Sequence, residues 1–196
     1  MVLGRTHLEL GLDAATDDYK RLIDNSASLG AKWILELGTG KVDQYADYPK
    51  LMKGVADHAA STGVGISLKP HGGISLTAQE LIDLHDQVDH PAFRISYDPG
   101  NIIYYTKGEV RPESEVELIS SRTSTLIIKD CTLDGEKPDV MVTAGDGLVD
   151  FAFVIGKMEE GGFDGPMYVE CVGATAPDEV DADLSRTHAF ISGLIG

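Results

Sequence analysis

Apolar positions along this chain fall into two rhythms that alternate from end to end. His7 to Leu12 alternates weakly as a strand, and DAATDDYKRLIDNSASLGA after it repeats Tyr19, Leu22, Ile23 and Leu29 at helical spacing before Gly30. Trp33 to Leu37 is a compact apolar run, followed by a Gly-bearing turn and a helical stretch from about Tyr45 to Ser61. Val64 to Lys69 reads as a third strand. The loop PHGGIS then leads into TAQELIDLHDQV, where Thr77 and Glu80 form a capping box and Leu81, Leu84 and Val88 supply a buried face. FRISYD, the loop DPGNIIYYTKGE and the short helix PESEVELISSR make a fourth unit. TLIIKD is the fifth strand, separated by a long loop from Cys131 to Gly147 from the helix VDFAFVIGKMEEGG, which ends at paired glycines. PMYVEC is the sixth strand, and DADLSRTHAFISGLIG closes the chain as a helix.

Strand and helix alternating six times imply an α/β fold with a parallel sheet, because each parallel crossover needs a covering helix. The first strand is followed by LGLDAATD, with no Gly-rich phosphate turn, and no Walker lysine occurs, so a barrel is preferred over an open dinucleotide-binding sheet. A full eight-stranded barrel takes roughly 250 residues, and 196 residues fall short by about two βα units. No linker or low-complexity tract interrupts the pattern, so residues 1–196 are expected to form a single domain.

Composition narrows the function classes. Thirty-two acidic against 16 basic residues give a formal charge of −16. That balance disfavours nucleic acid, which needs a basic stripe, and also suits solubility in high salt. The N-terminus does not read as a secretory signal and no apolar run is long enough for a bilayer, so a cytoplasmic protein without a membrane partner is expected. Cys131 and Cys171 are too few for a disulfide framework, and reduced thiols are expected.

Polar residues stand at nearly every predicted strand end: Glu36 and Thr39, Lys69 and His71, Asp98 and Asn101, Lys129 and Asp130, and Glu170. In a parallel barrel these ends converge on one rim, where active sites are built. Lys69 there could hold a fixed cation against a carbonyl, act as a base, or simply pair with Glu170 or Asp98. His71 serves equally as a nitrogen ligand or as a loop residue bonded to backbone. Asn101 suits a sugar hydroxyl or a self-capping turn, and Lys129 suits a phosphate or carboxylate. Gly72 and Gly73 allow close backbone approach to a ligand.

The strings LKPHGG (68–73), YDPGN (97–101), IIKD (127–130), GDGLVDF (145–151) and GPMYVE (165–170) resemble, in order, the strand-end motifs of the sugar phosphate isomerase/epimerase family. That family has a xylose isomerase-like TIM barrel and includes hydroxypyruvate isomerases, ketose 3-epimerases, inosose dehydratases and a DNA-repair endonuclease. The resemblance runs from about residue 5 to the end and implies a partial barrel carrying the family's third to eighth strands. It also implies a divalent metal (Mn, Mg, Co or Zn), for which Asp98 and Glu170 match two ligands and His71 offers a third. Lys69 and Ile127 stand at the other two ligand positions.

The reading this supports is a sugar or sugar phosphate isomerase or epimerase. Glu170 and Lys69 are its catalytic candidates: Glu170 removes a proton alpha to a carbonyl, and a metal at Asp98, or Lys69 itself, stabilises the enediolate. Glu36, His71, Asn101, Lys129 and Asp130 are expected at the substrate. A sugar-binding homologue without catalysis is the alternative, and a metal-dependent nuclease ranks last. Six strands leave two sheet edges open, so a homodimer or higher homo-oligomer is expected.

Overall fold

Trp33 lies where a side chain on its cross-strand partner Gly65 would have to stand: a Cβ built on Gly65 comes within 2.1 Å of the indole ring. Strands β2 (Trp33–Glu36) and β3 (Gly65–Leu68) therefore approach only because residue 65 carries no side chain. The structure, a computed structural model, describes residues 1–195. The chain divides into two compact units, Met1–Ser96 and Tyr97–Gly196, and the division falls at the end of a strand where the sequence shows no linker.

In the first unit, β1 (Val2–Leu3) and α1 (Leu12–Ser28) precede β2; α2 (Tyr48–Thr62), β3, α3 (Ala78–Val88) and β4 (Phe93–Tyr97) follow. The strands are parallel in the order β1-β2-β3-β4, with Val2 opposite Ile34, Ile34 opposite Ile66, and Ile66 opposite Phe93. Helix α1 buries Ala15, Tyr19, Ile23 and Ser26, one face at intervals of three and four residues. Helix α2 buries Tyr48, Leu51, Met52, Val55, Ala56 and Ala59. Each large apolar side chain among these contributes about 1.5–3 kcal/mol. The capping box at Thr77 and Glu80 is present.

The first strand is not His7 to Leu12. Those residues form a 3-10 turn at Leu8–Leu10 and the start of α1, and the strand is Val2–Leu3, too short for alternation to announce it. Gly11, at φ 86°, breaks the path between turn and helix.

In the second unit, α4 (Pro99–Thr106) replaces the expected DPGN loop. Asp98 caps it by accepting a bond from the Asn101 backbone N–H at 2.9 Å, and Pro99 takes the first helical position, where its missing donor costs nothing. PESEVELISSR is broken into a 3-10 turn, the single turn α5 (Val116–Ile119) and a second 3-10 turn. Strand β5 (Thr123–Ile128) is buried along its whole length. The long loop after it contains a hairpin, β6 (Thr132–Asp134) with β7 (Lys137–Asp139), turning at Gly135 with φ 61°. Helix α6 (Phe151–Glu160) leads to β8 (Met167–Val169), which pairs parallel with β5 through Leu126–Met167, Ile127–Tyr168 and Ile128–Val169. Helix α7 (Pro177–Ser192) begins four residues earlier than the apolar spacing predicts, at a Pro in the first turn.

Both β1 and β8 lie at sheet edges, with Leu3 and Val169 exposed there. Cys131 and Cys171 form no disulfide. Among the described residues no helix is long and apolar enough to cross a membrane.

Candidate functional site

At the end of β2 the carboxylate of Glu36 is buried with 1% exposure. Tyr19, from α1, donates its hydroxyl to one oxygen at 2.8 Å, and Tyr48, the first residue of α2, donates to the other at 3.4 Å. Burial outweighs these bonds and that from the Leu37 backbone, and pushes the Glu36 carboxyl up to about 7. Burial and the adjoining carboxylate raise both phenols well above their usual range, so they remain donors. A cavity of about 270 Å³ opens beside Glu36, with Arg5, Lys41 and Gln44 on its wall. Thr39, expected at this rim, donates its hydroxyl to the Gln44 amide oxygen at 2.9 Å. The sequence places Tyr19 on a core-facing helix stripe, and nothing local marks either phenol as a carboxylate partner.

Lys69 follows β3, and its backbone N–H donates to the Glu36 carbonyl at 2.9 Å, so these two strand ends are neighbours. Its side chain is 2% exposed. The backbone N–H of His71 donates to the Ser75 carbonyl at 2.8 Å, closing the PHGGIS loop around a bridge between Gly72 and Ser75.

In the second unit the end of β5 faces the end of β8. Lys129 Nζ donates to Glu170 Oε1 at 2.7 Å, with side-chain exposures of 7% and 36%. The backbone fixes this meeting: Glu170 N–H donates to the Ile128 carbonyl at 3.1 Å, one step beyond the Ile128–Val169 pair. Lys129 also lies in the field of Asp98, which is fully buried at the start of α4. Burial alone would pull the ammonium down, but Asp98, the bond from Glu170 and the charge of Glu170 raise it overall, so Lys129 is a cation. Gly100 carries the α4 start against this strand end, since a Cβ there would lie 2.5 Å from the Lys129 carbonyl oxygen.

Asp130, expected at the substrate, sits among backbone donors. It has no exposure, and four backbone N–H groups occupy its oxygens: Cys131 at 2.8 Å and Val149 at 3.1 Å on one, Gly145 at 3.0 Å and Gly147 at 2.9 Å on the other. The carboxylate is the centre around which GDGLV wraps. A Cβ on Gly147 would lie 2.3 Å from Asp130 Oδ1, which explains the glycine. Its outer side is tied to α7, where Arg186 grips both Asp146 oxygens at 2.8 and 2.7 Å and Thr143 donates to Asp183 at 2.6 Å.

A larger cavity, about 480 Å³, lies on the opposite face of β5 and β8. Ile128, Met167 and Val169 line it with Ile191 of α7, whereas the alternation along each strand turns Lys129 and Glu170 the other way. Among the described residues no group of three or more His, Cys, Asp and Glu side chains stands close enough to hold a metal ion. Glu170 faces the Lys129 ammonium.

A family model described as xylose isomerase-like TIM barrel matches residues 6–189. No curated protein sequence is a match. Among solved structures, a xylose isomerase domain protein from Planctomyces limnophilus superposes with a TM-score of 0.72 at 22% identity, over 93% of this chain and 64% of that one. A xylose isomerase-like TIM barrel protein from Mycobacterium smegmatis, in complex with magnesium, gives 0.76 at 18% identity, over 94% and 69%. D-psicose 3-epimerase with D-tagatose, from Clostridium cellulolyticum H10, gives 0.77 at 15% identity, over 93% and 71%. The chain thus spans less than two thirds of the length of the Planctomyces protein, and identities this low carry the fold and no more.

Proposed function

Because the chain belongs to the xylose isomerase-like TIM barrel family, whose incomplete α/β barrel its six parallel strands build, we propose that it is a sugar isomerase or epimerase working by proton abstraction next to a carbonyl. Structural neighbours that are D-psicose, D-allulose and L-ribulose 3-epimerases support a ketose as the substrate class. The observation that carries the reading is the pair Lys129–Glu170 at 2.7 Å, with Glu170 the more exposed partner. An ionised carboxylate open to a ligand is a base, and an adjacent buried ammonium keeps it ionised.

In this reading Glu170 takes the proton alpha to the ketose carbonyl. Lys129 then has donors for the oxygen on which negative charge develops, where a fixed cation in a site shielded from water stabilises most. Returning the proton to the same carbon on the other face gives an epimer, and returning it to the neighbouring carbon gives an isomer. Asn101, at the start of α4 in the same unit, is proposed to hold a substrate hydroxyl.

Incubation with a panel of ketoses and ketose phosphates in deuterated water, followed by NMR, tests this. Deuterium should enter the position alpha to the carbonyl for at least one sugar, and Glu170→Gln should lower that exchange by about 10²–10⁴-fold. Exchange that is absent for every sugar defeats the enzymatic reading. The tie between Lys129 and Glu170 also favours a second reading, a sugar-binding protein without turnover, which would show heat of binding with no exchange.

A further inference from the structure

The chain carries a formal charge of −16, yet the cavity of about 270 Å³ at the ends of β1 and β2 gathers two exposed cations, Arg5 and Lys41, on its wall. We propose that this cavity of the first unit is a binding site for a phosphate group, held by the Arg5 guanidinium, the Lys41 ammonium and the Gln44 amide. Among the described residues neither cation makes an ion pair, and both lie in the field of Glu9, an exposed carboxylate on the same wall. Thr39 sets the donors in place: its hydroxyl accepts from the Lys41 backbone N–H at 3.1 Å and donates to the Gln44 amide oxygen at 2.9 Å. With that oxygen occupied, half-buried Gln44 has its NH₂ group left to donate. The segment after β3 braces the loop. Ile74 donates its backbone N–H to the Thr39 carbonyl at 3.0 Å, the Ser75 hydroxyl donates to the Leu37 carbonyl at 3.0 Å, and a Cβ on Gly73 would come within 2.4 Å of the Thr39 carbonyl oxygen. Donors fixed in this way lose little freedom when a ligand arrives. The arginine fork and the lysine point charge both suit phosphate, and donors from three separate side chains match a group with three or more acceptor oxygens. At about 270 Å³ the cavity falls below the roughly 300–1,000 Å³ of sites for drug-sized ligands, which restricts the occupant to a small anion.

Glu36 also lines the cavity, and its proton sets the local charge. While it is neutral, Arg5 and Lys41 face one carboxylate, Glu9; once it ionises they face two. Its other neighbours are Tyr19 from α1 and Tyr48 from α2, both neutral donors, and Lys69, which adjoins it through the backbone. Anion binding is therefore strongest below about pH 7, where burial holds the Glu36 proton, and weakens above it.

Isothermal titration calorimetry on the intact chain tests the site, with inorganic phosphate and with sodium sulfate, a dianion that does not titrate in this range. At about pH 6 sulfate should saturate one site per chain, with an affinity that falls as NaCl is added. Arg5→Met and Lys41→Met should each weaken it about tenfold, the loss of one charge-assisted bond. Lys53→Met, which removes an exposed lysine of α2 outside the cavity, should leave it unchanged. Glu9→Gln should tighten binding, a gain that a merely structural role for these residues would not give. From about pH 6 to pH 8 the wild type should lose affinity several-fold, and Glu36→Gln should keep the tight binding across that range. Inorganic phosphate and glycerol 3-phosphate separate the two sources of the group: the tighter binder shows whether the site takes the free ion or a monoester. A wild type that binds neither sulfate nor phosphate saturably at about pH 6 overturns the proposal by itself, as does binding that Arg5→Met and Lys41→Met leave intact. A pH dependence that survives in Glu36→Gln overturns the role given to its proton. The site does not rest on the isomerase reading: a chain that binds sulfate and exchanges no sugar proton refutes that activity and leaves the anion site standing, and exchange without anion binding does the reverse.

Discussion

The Glu36 carboxylate and the Tyr19 hydroxyl meet at 2.8 Å in the interior of the first unit, seventeen residues apart in sequence. With Tyr48 on its other oxygen, Glu36 is a buried acid stabilised by neutral donors and, among the described residues, by no cation in direct contact. Such a group prefers its protonated form in the folded state.

That preference makes stability depend on pH with a definite sign. The folded carboxyl holds its proton to about 7, while the unfolded chain releases it near 4.5. Between these values the unfolded state binds fewer protons, so stability falls as pH rises. The contribution is complete below about pH 4.5 and gone above about pH 7, a loss of about 3 kcal/mol. Urea midpoints measured from pH 4.5 to 7.5 should decline more steeply for the wild type than for Glu36→Gln. Equal slopes would show that Glu36 is not the group responsible.

Asp130 should behave as a structural centre and not as a substrate ligand. Asp130→Asn turns one acceptor into a donor facing backbone N–H groups, at a cost of about 2–4 kcal/mol. Gly147→Ala drives a methyl group into the same carboxylate and should cost about 1–3 kcal/mol. Denaturant midpoints measure both. An Asp130→Asn variant of wild-type stability would contradict the four-bond arrangement.

The two thiols should react at different rates. Cys131 has no exposure, and burial, joined by the charges of Asp130, Asp139 and Asp98, raises its thiol to about 11 against a bond from the Asp139 backbone that lowers it. Cys171 is half-buried. With a disulfide reagent at pH 8, the native protein should show one reactive thiol per chain, lost in Cys171→Ser, and the second only after denaturation.

Thr187 on α7 buries its hydroxyl with no hydrogen-bond partner among the described residues, in the wall of the apolar cavity behind β8. Thr187→Val keeps the shape and removes the unmet polar group, so it should raise stability by about 1–2 kcal/mol. A lower denaturation midpoint would show that the hydroxyl is satisfied in solution.

Local pattern alone determined a good deal. The alternation of apolar runs and helical stripes fixed the α/β class, the parallel strands and the polar residues at their ends, and the Thr77–Glu80 pair announced its helix, because these depend on neighbours within a turn or a pleat. Where such signals were brief or doubled they misled. The two-residue β1 has no alternation to show, and Asp98-Pro99 starts a helix with the same residues that start a turn. Only the tertiary structure decided what the polar residues do. Lys129 and Glu170 are 41 residues apart, and Asp130 takes its bonds from residues 15, 17 and 19 positions on as well as from its neighbour. Strand-end polarity tells that a charged group stands at the rim, but whether it meets a cation, a ring of backbone donors or two phenols depends on strand register and on which helix packs behind. Those are set by the folding of distant segments against one another, and no window of sequence contains them.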